Sequence, residues 1–90
     1  MLKFRVGEVQ YVSATARAET QNEIAVINSA HYKLMHYEDK TVIDEGNCEV
    51  EGNMLRVLLT FLEEGLYTLS IKAQIGKEII IKDKAISVTR

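Results

Sequence analysis

The sequence predicts an all-β chain folded as one antiparallel β-sandwich, and three observations predict it. Apolar and polar residues alternate with period two along most of the chain, the pattern of strands with one buried and one solvated face. Short turn punctuations, "EDK", "EGN", "EEG" and "IGK", cut that alternation into about seven segments of sandwich-strand length. No segment sustains the 3.6-residue period of an amphipathic helix. With 90 residues, 47% of them hydrophobic and 27% charged, the chain has material for one modest core, so a single domain over residues 1–90 is expected.

The opening "MLKFRVGEVQ" reaches Glu8 and Gln10 after a short apolar start. That is too brief for a signal-peptide core or a membrane span, and a cytoplasmic product with no membrane partner is expected. In "VQYVSATARAET", Val12, Ala14, Ala16 and Ala18 point inward while Ser13, Thr15 and Arg17 point outward. "SAHYKLMHYED" sets Ala30, Tyr32 and Leu34 against His31, Lys33 and Met35, and Asp39 with Lys40 offers a hairpin into "TVIDEG". "CEVEGN" reads as a brief strand. Asn53 to Leu62 is apolar enough on both faces for a short helix, but its length and the flanking turns favour a strand with Leu55, Val57, Leu59 and Phe61 in one row.

The last third is the most regular. Tyr67, Leu69, Ile71, Ala73 and Ile75 alternate with Thr68, Ser70, Lys72 and Gln74, and Gly76 can take the positive φ of a tight turn. Ile79 and Ile81 then continue the inward row, whereas Ile86 and Val88 fall on the opposite register. A bulge or a change of sheet is therefore expected near "KDK", residues 82–84. The expected core is Tyr67, Leu69, Ile71, Leu55, Val57, Leu59, Phe61, Tyr32, Leu34 and Ile79.

Candidate chemistry is sparse. His31 and His36 are five residues apart and project to opposite faces of a regular strand, which does not suit a shared metal. Cys48 stands alone between Asn47 and Glu49, neighbours that raise a thiol pKa, and it reads as a half-buried small residue. Glu38, Asp39, Asp44, Glu45, Glu49 and Glu51 face the single Lys40, yet their spacing matches no calcium loop, and carboxylates at turns commonly keep sheet ends soluble. No nucleophile elbow, phosphate loop, zinc-protease or dinucleotide motif occurs. No catalytic, cofactor-binding or metal-ligating residue is assigned, no cofactor is expected, and the chain reads as a non-enzyme. A net charge of -2, with both signs interleaved, argues against nucleic acid as a partner.

"EEGLY" adds an architectural clue. In immunoglobulin-like sandwiches a tyrosine at the start of strand F bonds back to the E–F corner, and Gly65-Leu66-Tyr67 after an acidic turn suits that corner; a plain inward aromatic would show the same three residues. The order "INSAHYKLMHYEDKTVIDEGNCEVEGN", an apolar strand, "EEGLYTLSIKAQIGKEI" and a closing "ISV" resembles immunoglobulin-like domains of phage and prophage structural proteins, of the N-terminal type found in baseplate upper proteins. The likeness runs from about Ile24 to Val88. It implies a structural or assembly role in a virion, through protein partners or self-association, and carries over no catalytic residue.

Three functions are therefore weighed: a virion structural or assembly protein, a free-standing module binding a carbohydrate or surface protein, and a small hydrolase. The second needs Tyr11 and Tyr37 grouped on one face. The third needs a pocket with converging titratable groups, and a small-molecule ligand is not expected. Charge is also uneven: residues 38–51 hold six acids and one base, a net of -5, whereas residues 72–90 hold five bases and two acids, a net of +3. Such polarity suits head-to-tail contact between copies, and equally suits lysines that guard an edge strand.

Overall fold

The computed structural model describes residues 1–16 and 26–90. Among these residues eight strands run in order: β1 (Leu2–Arg5), β2 (Val9–Thr15), β3 (Ile27–His36), β4 (Val42–Asn47), β5 (Glu49–Glu51), β6 (Met54–Thr60), β7 (Gly65–Ile75) and β8 (Glu78–Thr89). They form a five-stranded sheet, β1-β8-β7-β3-β4, packed on a three-stranded sheet, β2-β6-β5. The arrangement is that of an immunoglobulin-like sandwich, with β2, β6 and β5 in the places of strands B, E and D, and β8, β7, β3 and β4 in those of G, F, C and C′.

Alternation drives the packing. Leu55, Val57 and Leu59 on β6, Leu34 on β3, and Tyr67, Leu69 and Ile71 on β7 all turn inward and are buried, as expected; Leu69 and Ile86 are fully enclosed. Phe61 lies edge-on to Phe4 at 5.0 Å and tilted against Tyr67 at 4.7 Å, closing one end of the core. Ala14 and Ala16 are half-buried against it, and Val12 is buried. The expectation for Arg17 and Ala18 lies outside the described residues.

Turn chemistry follows the residues. Gly76 at φ 61° opens a two-residue loop between paired Ile75 and Glu78, and Gly52 at φ 62° does the same between Glu51 and Met54. Between β3 and β4, Lys40 takes φ 60° while the Asp39 carboxylate accepts the Thr41 amide at 2.9 Å.

One expectation is extended and two need correction. First, the described residues form eight strands where about seven were read, the added one being β1, which pairs in parallel with β8, Leu2 to Ile86 through Arg5 to Thr89, and buries Phe4. Four residues are too few to display a period. Second, the ladder of β7 and β8 runs without a shift from Gly65 and Val88 to Ile75 and Glu78, so no bulge interrupts residues 82–84. The inward row of β8 is instead Ile80, Lys82, Lys84, Ile86 and Val88, and Ile79 and Ile81 stand outside, 59% and 60% exposed. Lys82 is exposed and Lys84 half-buried, and among the described residues both line a groove of about 940 Å³ between residues 13–16 and the far half of β8. Third, Tyr32 is half-buried, reaching over the β4 edge past Gly46 so that its hydroxyl donates to Asp44 Oδ2 at 3.0 Å.

Candidate interaction surface

Strand order decides which side chains meet. β4 and β5 are the edges of the two sheets on one flank, so Asp44, Glu45, Glu49 and Glu51 gather there, with Glu38 and Asp39 in the adjoining turn. Half of these six carboxylates already have partners. Asp44 accepts from Tyr32, Asp39 from the Thr41 amide, and Glu49 from Arg56 Nε at 2.6 Å. The Thr41 amide also holds the Asp39 carboxyl below its ordinary range, and Glu49 raises the Arg56 guanidinium. Among the described residues no group of three or more His, Cys, Asp or Glu side chains is placed to share an ion. On the opposite flank β1 carries Lys3 and Arg5 on the outer side of the sheet and β8 carries Lys82 and Lys84 on the inward row, with Arg90 3.8 Å from Glu64.

The outer face of the three-stranded sheet is mixed: Ser13, Thr15, Arg56, Thr60, Glu49 and Glu51 are polar, and exposed apolar residues group at one end of it. Tyr11 on β2 stands opposite Leu58 on β6, with Val9 beside them and Met54 at the other end; their exposures run from 42% to 61%. The Arg56 guanidinium covers the Tyr11 ring at 4.4 Å while its Nε holds Glu49. Tyr37 belongs to the other sheet's β3–β4 turn, under Lys40 Nζ at 5.0 Å. The two exposed tyrosines thus lie on different sheets, each with its own cation.

The remaining candidates are scattered. His31 lies on the outer face, its Nδ1 3.3 Å from Asn47 Oδ1, while His36 stacks on Tyr67 at 5.2 Å on the inner side. Cys48 is half-buried where the chain steps from β4 to β5, its amide donating to the Ala30 carbonyl at 2.9 Å; burial pushes its thiol up. Tyr67 makes the corner that its sequence suggests: the ring is buried and the hydroxyl donates to the Glu63 carbonyl at 2.8 Å. The second apolar row of residues 53–62 and the exposed Tyr11 were legible in the sequence, but their meeting was not, because it depends on the pairing of β2 with β6 that sets Tyr11 opposite Leu58.

The protein class defined by this topology and the Tyr67 corner is the immunoglobulin-like β-sandwich domain. No protein-family model matches the chain, and no curated protein matches its sequence. Solved structures do share the fold. An engineered protein superposes with a TM-score of 0.75 at 11% identity over 99% of this chain and 18% of its own. CopC from Methylosinus trichosporium OB3b gives 0.68 at 12% identity over 99% of this chain and 85% of its own. A metagenome-derived glycoside hydrolase family 9 endoglucanase gives 0.66 at 12% identity over 98% of this chain and 17% of its own. This chain therefore spans less than a fifth of the first and third, and at such identities the likeness is one of fold.

Proposed function

We propose that the protein is a non-enzymatic structural or assembly protein that works through its surfaces, as a phage or prophage virion component of the tail, baseplate or head–tail region. The observation that carries this reading is the exposed apolar group of Val9, Tyr11 and Leu58 at one end of the smaller sheet's outer face. Apolar side chains in adjoining rows on an otherwise solvated face are characteristic of protein–protein contact. The virion assignment rests on the resemblance carried by residues 24–88. Its partners are proteins, and it is made in the cytoplasm before incorporation. Placement of Tyr11 and Tyr37 on different sheets weighs against the alternative of a carbohydrate-binding module, which needs a shared aromatic platform.

The test is direct. Particles released by the encoding strain after prophage induction, purified on a density gradient and analysed by mass spectrometry, are expected to contain this chain, or their assembly intermediates are. Absence from both overturns the virion reading.

A further inference from the structure

The order β1-β8-β7-β3-β4 leaves two lanes of the larger sheet without a neighbouring strand among the described residues. One runs along β4. The other runs beside residues 78–85 of β8, because β1 pairs only with residues 86–89. Register places these lanes at the same height. Asp44 stands level with Leu34, Leu69 and Lys84; Gly46 with Tyr32, Ile71 and Lys82; and Asn47 with His31, Lys72 and Ile81. Three antiparallel steps separate β4 from β8, so the two strands run in opposite directions.

A second copy displaced sideways in the plane of the sheet, with no slip along the strands, therefore brings its β4 into the lane beside residues 81–85 of β8. The new pair is antiparallel, the commoner and slightly more stable ladder. β1 lies end to end with it in the same lane and sets one limit on slippage. Charge favours the match locally: β4 carries Asp44 and Glu45, a net of -2, and residues 81–85 carry Lys82, Asp83 and Lys84, a net of +1. In the unslipped register Asp44 faces Lys84 on one side of the sheet, and Glu45 meets Asp83 on the other as the single directly opposed like-charge pair.

The geometry points to a second copy of this chain as the occupant of the β4 edge, with β4 adding to residues 81–85 of β8 so that the five-stranded sheet continues from molecule to molecule. The contact is heterologous, so it builds an open row or a ring. This deepens the proposed surface-acting role and rests on it.

Light scattering and sedimentation equilibrium of the full chain test the proposal. At about 0.05 M salt the mass is expected to grow with concentration past the dimer, and to fall toward the monomer at about 0.5 M, where the Debye length drops below 10 Å. Asp44→Lys and Lys84→Glu are each expected to weaken association about tenfold or more, as like charges then face each other. Mixing these two variants in equal amounts restores it, since the introduced lysine meets the introduced glutamate, while Asp83→Lys strengthens it. Circular dichroism confirms that each variant is folded. A wild-type monomer at low salt and high concentration, a mass that stops at the dimer, or a Lys84→Glu variant that associates like the wild type overturns it. A monomer that is nonetheless found in purified particles removes self-pairing alone and leaves the interaction role standing.

Discussion

Tyr67 joins the core to the corner. Its ring packs between Phe61 and His36, and its hydroxyl ties β7 to the Glu63 carbonyl. Tyr67→Phe keeps the packing and loses the hydrogen bond, a cost of about 0.5–1.5 kcal/mol measurable by urea titration. Leu69→Ala, at a fully enclosed site, is expected to cost about 2–5 kcal/mol, whereas Lys72→Ala on the exposed face stays within about 0.5 kcal/mol. Equal melting temperatures for these two variants would contradict the facing of β7. Burial raises the phenols of Tyr67 and Tyr32 above the ordinary 10.0, with the charges of Glu63 and Asp44 adding to it. The folded state then binds these protons more tightly than the unfolded chain. Their contribution is complete below about pH 10 and is lost as pH rises through the folded-state values. The melting temperature should accordingly begin to fall above about pH 10, and less steeply in Tyr67→Phe.

At the scale of elements, β8 offers the sharpest comparison. Ile80 faces inward opposite buried Ala73 while Ile79 and Ile81 face solvent, so Ile80→Ala should destabilise more than Ile79→Ala. The reverse order would restore the bulge near residues 82–84. In the β7–β8 hairpin, Gly76 has no atom within 4 Å of where a Cβ would sit, so Gly76→Ala isolates backbone strain at positive φ, about 1–2 kcal/mol. On the outer face of β6, Leu58→Lys should change stability by less than about 0.5 kcal/mol, since the site is half exposed. Loss of partner binding in that folded variant, read by titration calorimetry, is the expected outcome of the interaction role.

The whole molecule measures 45 × 23 × 20 Å, and its length follows the strands, since twelve residues of β8 alone span about 40 Å at roughly 3.3 Å each. Growth by edge addition therefore widens the particle across its short dimension, and small-angle scattering should report a ribbon whose smallest extent stays that of one sandwich. A ligand that binds only the native state raises the melting temperature. Asp39, Asp44 and Glu49 already have partners within the chain, so calcium or zinc should leave that temperature unchanged; a reproducible rise of several degrees would mark the acidic flank as an ion site.

The sequence by itself determined what depends on neighbours along the chain. Period-two rows named nine of ten expected core positions as inward or packed on the core, and turn residues located the hairpins at Lys40, Gly52 and Gly76, because these features are set by local sterics and by the pleat. Gly65-Leu66-Tyr67 suggested the corner, but only the 2.8 Å bond to Glu63 distinguished it from an ordinary inward aromatic. Tertiary structure decided the rest. Which face of β8 is inward is set by its unshifted register with β7, which levels Ile80, Lys82 and Lys84 with buried Ala73, Ile71 and Leu69, so Ile79 and Ile81, which read as inward in the sequence, face out. The pairing of β1 with β8 joins opposite ends of the chain, beyond the reach of any local pattern. The charge polarity was legible as a count, but that Asp44 and Glu45 lie toward one edge of the larger sheet and Lys82 and Lys84 toward the other came from strand order, which no local pattern sets.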